Sequence, residues 1–193
     1  MVKLRIMVDM DDTIENLGET WVNYLNERHS LSVKWPEITE WDLKKAFPTL
    51  SEWQIYEPLF ERGLWERVKP LPDAEKFLKR LVDDGHEVFI ATSSHPSTLG
   101  MKYELVIKRF FPFLSWTDVI CTSRKQVLNA DVLIDDGPHN LEGGLYEGIL
   151  VTAPHNRNYN EKERGFHRAD NWKEIYSIVC GIADELEGKW GKI

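Results

Sequence analysis

The stretch "IMVDMDDTI", residues 6–14, sets an apolar run directly against Asp9, Asp11 and Asp12. A short β-branched segment cut off by acids reads as a buried strand, residues 3–9, and not as a helix. Carboxylates this close repel and raise one another's pKa unless a cation compensates them. A strand end of this kind asks for positive charge, and for a fold that gathers strand ends at one edge.

The remaining pattern supplies such a fold. In "DAEKFLKRLVDDG", Ala74, Phe77, Leu78, Leu81 and Val82 fall on one helical stripe, and Gly85 stops it. "HEVFIATSS" then runs from strand into loop. A helix over 98–110, strands over 118–122, 131–136 and 148–152, and a last helix from Asn171 to Glu187 continue the alternation of a parallel sheet, whose buried strands appear as continuous apolar runs. Residues 15–70 differ: Pro36, Pro48, Pro58 and Pro70 break them, they show helical spacing and no strand, and five of the eight tryptophans fall in the first 65 residues. The expected fold is α/β, a Rossmann-like parallel sheet with helices on both faces. Its core would be residues 1–14 and 71–193, with 15–70 as a helical cap inserted after the first strand.

Bulk properties narrow the partners. A formal net charge of −8 disfavours a nucleic-acid polymer, because backbone phosphates need clustered Lys and Arg. A small anion held by local positive charge remains. Cys121 and Cys180 are too few for a disulfide framework and lack metal-ligand spacing. No segment has the apolar length of a membrane span, and no signal-peptide-like stretch precedes the first acids. A cytoplasmic protein without a membrane partner is expected, and a homodimer is compatible with it.

Ligands of parallel α/β sheets sit at the carboxyl ends of the strands. The first strand ends in Asp9-Met10-Asp11, the second in Thr92-Ser93, and "DVLIDD" in Asp135-Asp136, with Lys125 ten residues before Asp135. Taken singly, each has a plain structural reading: a solvated strand end, a turn hydroxyl, a surface lysine, a "DDGP" turn. Together, two carboxylate clusters, a hydroxyl and an ammonium at one edge describe a phosphate and Mg²⁺ site, since Mg²⁺ takes hard oxygen ligands including substrate phosphate.

This set resembles the haloacid dehalogenase-like superfamily of aspartate-dependent phosphohydrolases, through "DMDDT", "FIATS", Lys125 and "LIDD". Within it the chain is similar to the 5'(3')-deoxyribonucleotidase family, through the helical insertion, "ITEWD", "WERVKPLP", "ATS" and "DVLIDD". The resemblance implies that Asp9 is a nucleophile forming an aspartyl phosphate and Asp11 the general acid and base. It implies Mg²⁺ on the Asp9 carboxylate, the Asp11 backbone carbonyl and the Asp135 side chain, with Asp136 behind, orienting the metal's water shell or Lys125. Thr92, Ser93 and Lys125 would hold the phosphoryl oxygens, and Leu17, Trp41 and Trp65 would line the substrate pocket.

The implied substrate is a nucleoside monophosphate, with a phosphosugar, or a module that binds without turnover, as rivals. Two departures stand out. Asp12 occupies a turn where many superfamily members have Gly, at a position favouring positive φ, which Asp tolerates. Leu17 stands where mammalian members place an aromatic. Trp21 and Trp53 are expected in cap packing and His86 in a structural role. His139, His155 and Arg157 stay unassigned, and "NRNYNEKERGFHR" (156–168) is expected as a mobile polar edge.

Overall fold

A computed structural model describes residues 2–190. Six strands, β1 (Arg5–Val8), β2 (Glu87–Thr92), β3 (Val119–Cys121), β4 (Val132–Asp135), β5 (Glu147–Val151) and β6 (His167–Ala169), form one sheet in the order β3-β2-β1-β4-β5-β6. Every neighbouring pair is parallel. This is the expected α/β architecture.

Strand alternation divides the core. Ile6 and Val8 belong to the larger apolar cluster and Met7 to the other, because successive side chains point to opposite faces. The larger face carries α4 (Ala74–Asp83), α8 (Trp172–Trp190), and a helix that runs as α5 (Pro96–Lys102), a π-helical turn Tyr103–Ile107, and α6 (Lys108–Phe110). The second face is thinner. It is covered by the short α7 (Pro138–Leu141) and by Tyr146, Tyr159 and Phe166.

From β1 the chain builds outward to β2 and β3, then crosses back to β4 on the other side of β1. A reversal of this kind opens a crevice at the carboxyl ends of the two central strands. Asp9 N donates to Ile134 O at 2.8 Å, so the acidic corner after β1 stays tied to the end of β4.

The inserted segment contains α1 (Leu17–His29), α2 (Glu52–Tyr56) and α3 (Arg62–Trp65), joined by 3₁₀ turns. It encloses its own apolar cluster of Val22, Leu25, Ile38, Leu43, Phe47 and Ile55. Asp12 has φ 55°, and its Oδ1 accepts from Gly18 N at 2.9 Å, satisfying a free amide in the first turn of α1. α2 opens with a Ser51–Gln54 capping box. The segment enters and leaves through a neck, where Leu71 N donates to Ile14 O at 2.9 Å and Asn16 N to Lys69 O at 3.0 Å. Trp53 does not pack inside as expected. It is 63% exposed and stacks on Phe60, because it sits on the outer side of α2.

Residues 156–168, expected as a mobile polar edge, hold short ordered elements. They contain the 3₁₀ turn Glu161–Arg164 and lead into β6, which has three residues and no apolar run to announce it. His86 accepts from Leu4 N at 3.2 Å, the structural role expected. Among the described residues no helix is long and apolar enough to cross a membrane.

Candidate active site

Lys125, in the turn after β3, is 1% exposed, and its Nζ lies 2.5 Å from Asp9 Oδ1 and 2.6 Å from Asp135 Oδ2. Asp135 is fully engaged, because its Oδ1 also accepts from Gly137 N at 2.8 Å and Asn140 Nδ2 at 2.9 Å. Asp136 beside it is equally buried, yet neither of its carboxylate oxygens has a hydrogen-bond partner. His155 Nε2 lies 3.0 Å from Asp136 Oδ2 without the alignment of a hydrogen bond.

Oxygens of Asp9, Asp135 and Asp136 all lie within 4.8 Å of one another. Three carboxylates face one lysine here. Burial pushes the Asp9 carboxyl well above the usual range; Lys125 pulls it down, and Asp135, Asp136 and Asp11 push it further up. Burial likewise raises Asp136, with Asp135 adding to the effect. Burial works against the Lys125 ammonium, but Asp9 and Asp135 outweigh it and hold its pKa above that of ordinary lysine. A buried all-oxygen donor set with unpaired negative charge fits a hard divalent cation.

The two adjacent carboxylates differ in their hydrogen bonding. Asp135, expected to offer its side chain to the ion, has its oxygens hydrogen-bonded to Lys125, Gly137 and Asn140, whereas Asp136, expected behind it, accepts no hydrogen bond and has only the His155 ring beside it. Sequence order cannot say which of two adjacent carboxylates a buried lysine and two amides will occupy, because those donors come from elsewhere in the chain.

A second cation went unrecognised in the sequence. Lys102, at the end of α5, is 4% exposed, and its Nζ donates to Asp11 Oδ2 at 2.5 Å, Thr92 Oγ1 at 3.1 Å and Ser93 O at 3.4 Å. A signal existed, because Thr98, Lys102, Leu105 and Val106 occupy one buried helical stripe and a lysine in such a stripe needs a partner inside. Trp65, expected in the substrate pocket, instead lies in the core with its ring 5.4 Å from Lys102 Nζ and its Nε1 donating to Leu59 O at 2.8 Å. Glu15, also buried, stands beside Asp11 with neither oxygen hydrogen-bonded; burial first, then Asp11, raises its pKa.

Above these groups lies a cavity of about 390 Å³, reached by Asp9, Asp11, Ser93 and Lys125 from the core and walled by Leu17, Trp21, Trp35, Trp41, Tyr56 and Leu59. Thr92 is fully buried behind it. Trp41 packs edge-on against His139 at 5.4 Å and His155 at 4.8 Å, so the inserted segment touches the loops after β4 and β5. Gly18 makes room for this wall, since a Cβ there would fall 2.3 Å from the Trp35 ring. His139 and His155 border the cavity, whereas Arg157 is exposed away from it.

Solved structures share this fold. They include a haloacid dehalogenase-like hydrolase from Streptococcus pneumoniae (TM-score 0.64, 16% identity, covering 92% of this chain and 98% of that one) and a HAD family hydrolase from Deinococcus radiodurans (TM-score 0.60, 15% identity, 92% and 95%). Sheet order and these likenesses define the fold as haloacid dehalogenase-like, and the family match that follows makes the chain a phosphoric monoester hydrolase. More narrowly, residues 2–185 match the model of the 5' nucleotidase, deoxy (pyrimidine), cytosolic type C family, and the chain belongs to that family. It is 35% identical over 178 residues to the 5'(3')-deoxyribonucleotidase of Bacillus subtilis, covering 90% of this chain and 97% of that one, and equally to that of Bacillus phage SPbeta.

Proposed function

We propose that the protein is a cytoplasmic, Mg²⁺-dependent nucleotidase that removes phosphate from deoxyribonucleoside monophosphates through an aspartyl phosphate on Asp9. The observation that carries this reading is the buried group of Asp9, Asp135 and Asp136 around Lys125, with Asp11 two residues from the nucleophile. Asp9 and Asp136 would hold the metal with the Asp11 backbone carbonyl, and Asp135 would set Lys125. The bound cation would neutralise charge on Asp9 and the phosphate and polarise the phosphoryl oxygens.

The Asp9 carboxylate attacks phosphorus while Asp11, which pairs with Lys102 in the free protein and takes up a proton as the anionic substrate binds, passes that proton to the leaving oxygen and releases the nucleoside. Asp11, now ionised, takes a proton from water, whose oxygen attacks the phosphoaspartate and frees inorganic phosphate and Asp9. Lys125 and Ser93, with Thr92 behind, hold the equatorial oxygens, where charge collects in a loose transition state. Residues 15–70 act as the cap that excludes water and admits the nucleoside. The apolar, aromatic wall suits a flat base, and the names of the Bacillus relatives point to the same substrate.

The test is a panel of nucleoside monophosphates and phosphosugars with Mg²⁺, repeated in EDTA, for the unaltered protein and Asp9→Asn. Hydrolysis of deoxyribonucleotides that is lost in EDTA and in Asp9→Asn is expected. Faster turnover of sugar phosphates overturns the substrate, and full activity of Asp9→Asn overturns the mechanism.

A further inference from the structure

Asn156, in the loop after β5, is 2% exposed and saturated with hydrogen bonds. Its Nδ2 donates to Asp136 O and to Val151 O, each at 2.7 Å. Its Oδ1 accepts from Ala153 N at 3.1 Å and from Arg168 Nη1 at 3.2 Å. An amide offers two donor hydrogens and two acceptor lone pairs, and all four are used.

The place of this amide matters. Pairing of β4 with β5 ends at Asp135 and Leu150, so Asp136 and Val151 lie just past the last rung, where the strands' carbonyls have lost their ladder donors. Asn156 supplies both donors from one side chain and pins the two ends together. Arg168 in β6 fixes it in turn. The guanidinium also reaches Asn156 O at 3.3 Å and Tyr159 O at 2.9 Å, while Nε pairs with Glu161 at 2.9 Å.

We infer that Asn156 is a positioning residue for the metal site, aiming the Asp136 carboxylate by holding its backbone, with Arg168 as the brace that keeps Asn156 in place. The inference rests on the reading of Asp136 as a metal ligand. It differs from a merely structural role in one measurable respect: a residue that only satisfies buried carbonyls lowers stability when removed, whereas one that aims a ligand also weakens the metal. Outer partners of metal ligands typically contribute about 10–100-fold in affinity or activity.

The experiment is titration calorimetry of the full chain with Mn²⁺, well below each variant's melting temperature, on the unaltered protein, Asn156→Ala, Arg168→Lys and Ile175→Val. Ile175, in the core of α8, serves as a destabilised control remote from the loop. Asn156→Ala is expected to weaken Mn²⁺ binding about 10–100-fold. Arg168→Lys, which keeps the charge but not the fork of donors, should lose less in the same direction. Ile175→Val should melt earlier with unchanged affinity. Undiminished affinity in Asn156→Ala overturns the inference; if that variant does not fold, undiminished affinity in Arg168→Lys does so. Absence of Mn²⁺ binding by the unaltered protein overturns the reading of the site, and the inference with it.

Discussion

Lys102 and Asp11 lie 91 residues apart in sequence and 2.5 Å apart in space, in an ion pair whose lysine is 5% and carboxylate 24% exposed. The same ammonium reaches Thr92, so one buried cation ties the corner after β1 to the end of β2. Removing one partner of a buried pair leaves the other uncompensated, at a cost of about 3–5 kcal/mol, and the partial exposure of Asp11 puts this pair at the lower end. In Lys102→Met, kcat should fall by about tenfold or more, as Asp11 loses the contact that orients it. Melting should fall as well. Steady-state kinetics check this, and an unchanged kcat would remove Lys102 from the machinery.

Asp135 and Asp136 should answer oppositely to the same substitution. Asp135→Asn breaks the carboxylate that Lys125 relies on, so the metal-free protein should melt well below the unaltered one. Asp136→Asn removes a buried carboxylate that accepts no hydrogen bond and has only the His155 ring 3.0 Å away, so metal-free melting should stay level or rise. Its Mg²⁺ affinity should nonetheless fall about 10-fold or more. Thermal melts with and without Mg²⁺ distinguish the two; equal loss of stability in both would refute the division of roles.

Trp41 links the inserted segment to the core through His139 and His155. Trp41→Ala should raise KM more than it lowers kcat, because it opens the wall without touching the reacting groups. A cycle with His155→Ala should show coupling of about 0.5–1.5 kcal/mol. Gly18→Ala is the steric counterpart. In an ordinary helix that change stabilises by about 1 kcal/mol, but here the new Cβ meets the Trp35 ring at 2.3 Å and Asp12 at 2.6 Å, so destabilisation and a raised KM are expected.

The acidic cluster sets the pH dependence of the metal-free protein. Burial raises the pKa of Asp9, Asp12, Glu15 and Asp136 in the folded state. Above about pH 4 the unfolded chain has released protons that these groups still hold, so it binds fewer protons than the native state. The cluster's contribution therefore falls as pH rises from the unfolded pKa through the folded one. A bound divalent cation favours the ionised forms and should reverse the trend. Melting temperatures across pH 4–8 in EDTA and in Mg²⁺ should diverge as pH rises; parallel curves would contradict it.

Strand positions were legible because each depends on a local pattern. The apolar runs before Asp9, Ser93 and Asp135 mark β1, β2 and β4, and the ten-residue interval from Lys125 to Asp135 is an interval across a single loop. β6 was not legible, because three residues, His-Arg-Ala, carry no periodic signal. Trp65 reads equally as pocket or core, since aromatic character does not say which side of α3 meets the cavity.

The sequence by itself determined the α/β order and the acidic strand ends that collect at one edge, since hydrophobic period and strand polarity are properties of neighbouring residues. Tertiary structure alone decided which carboxylate accepts no hydrogen bond, that Lys102 answers Asp11, and that Asn156 holds the Asp136 carbonyl while Arg168 holds Asn156. Those are contacts between distant segments, and buried charge is assigned by the geometry of desolvated hydrogen bonds, which exists only once the strands are side by side.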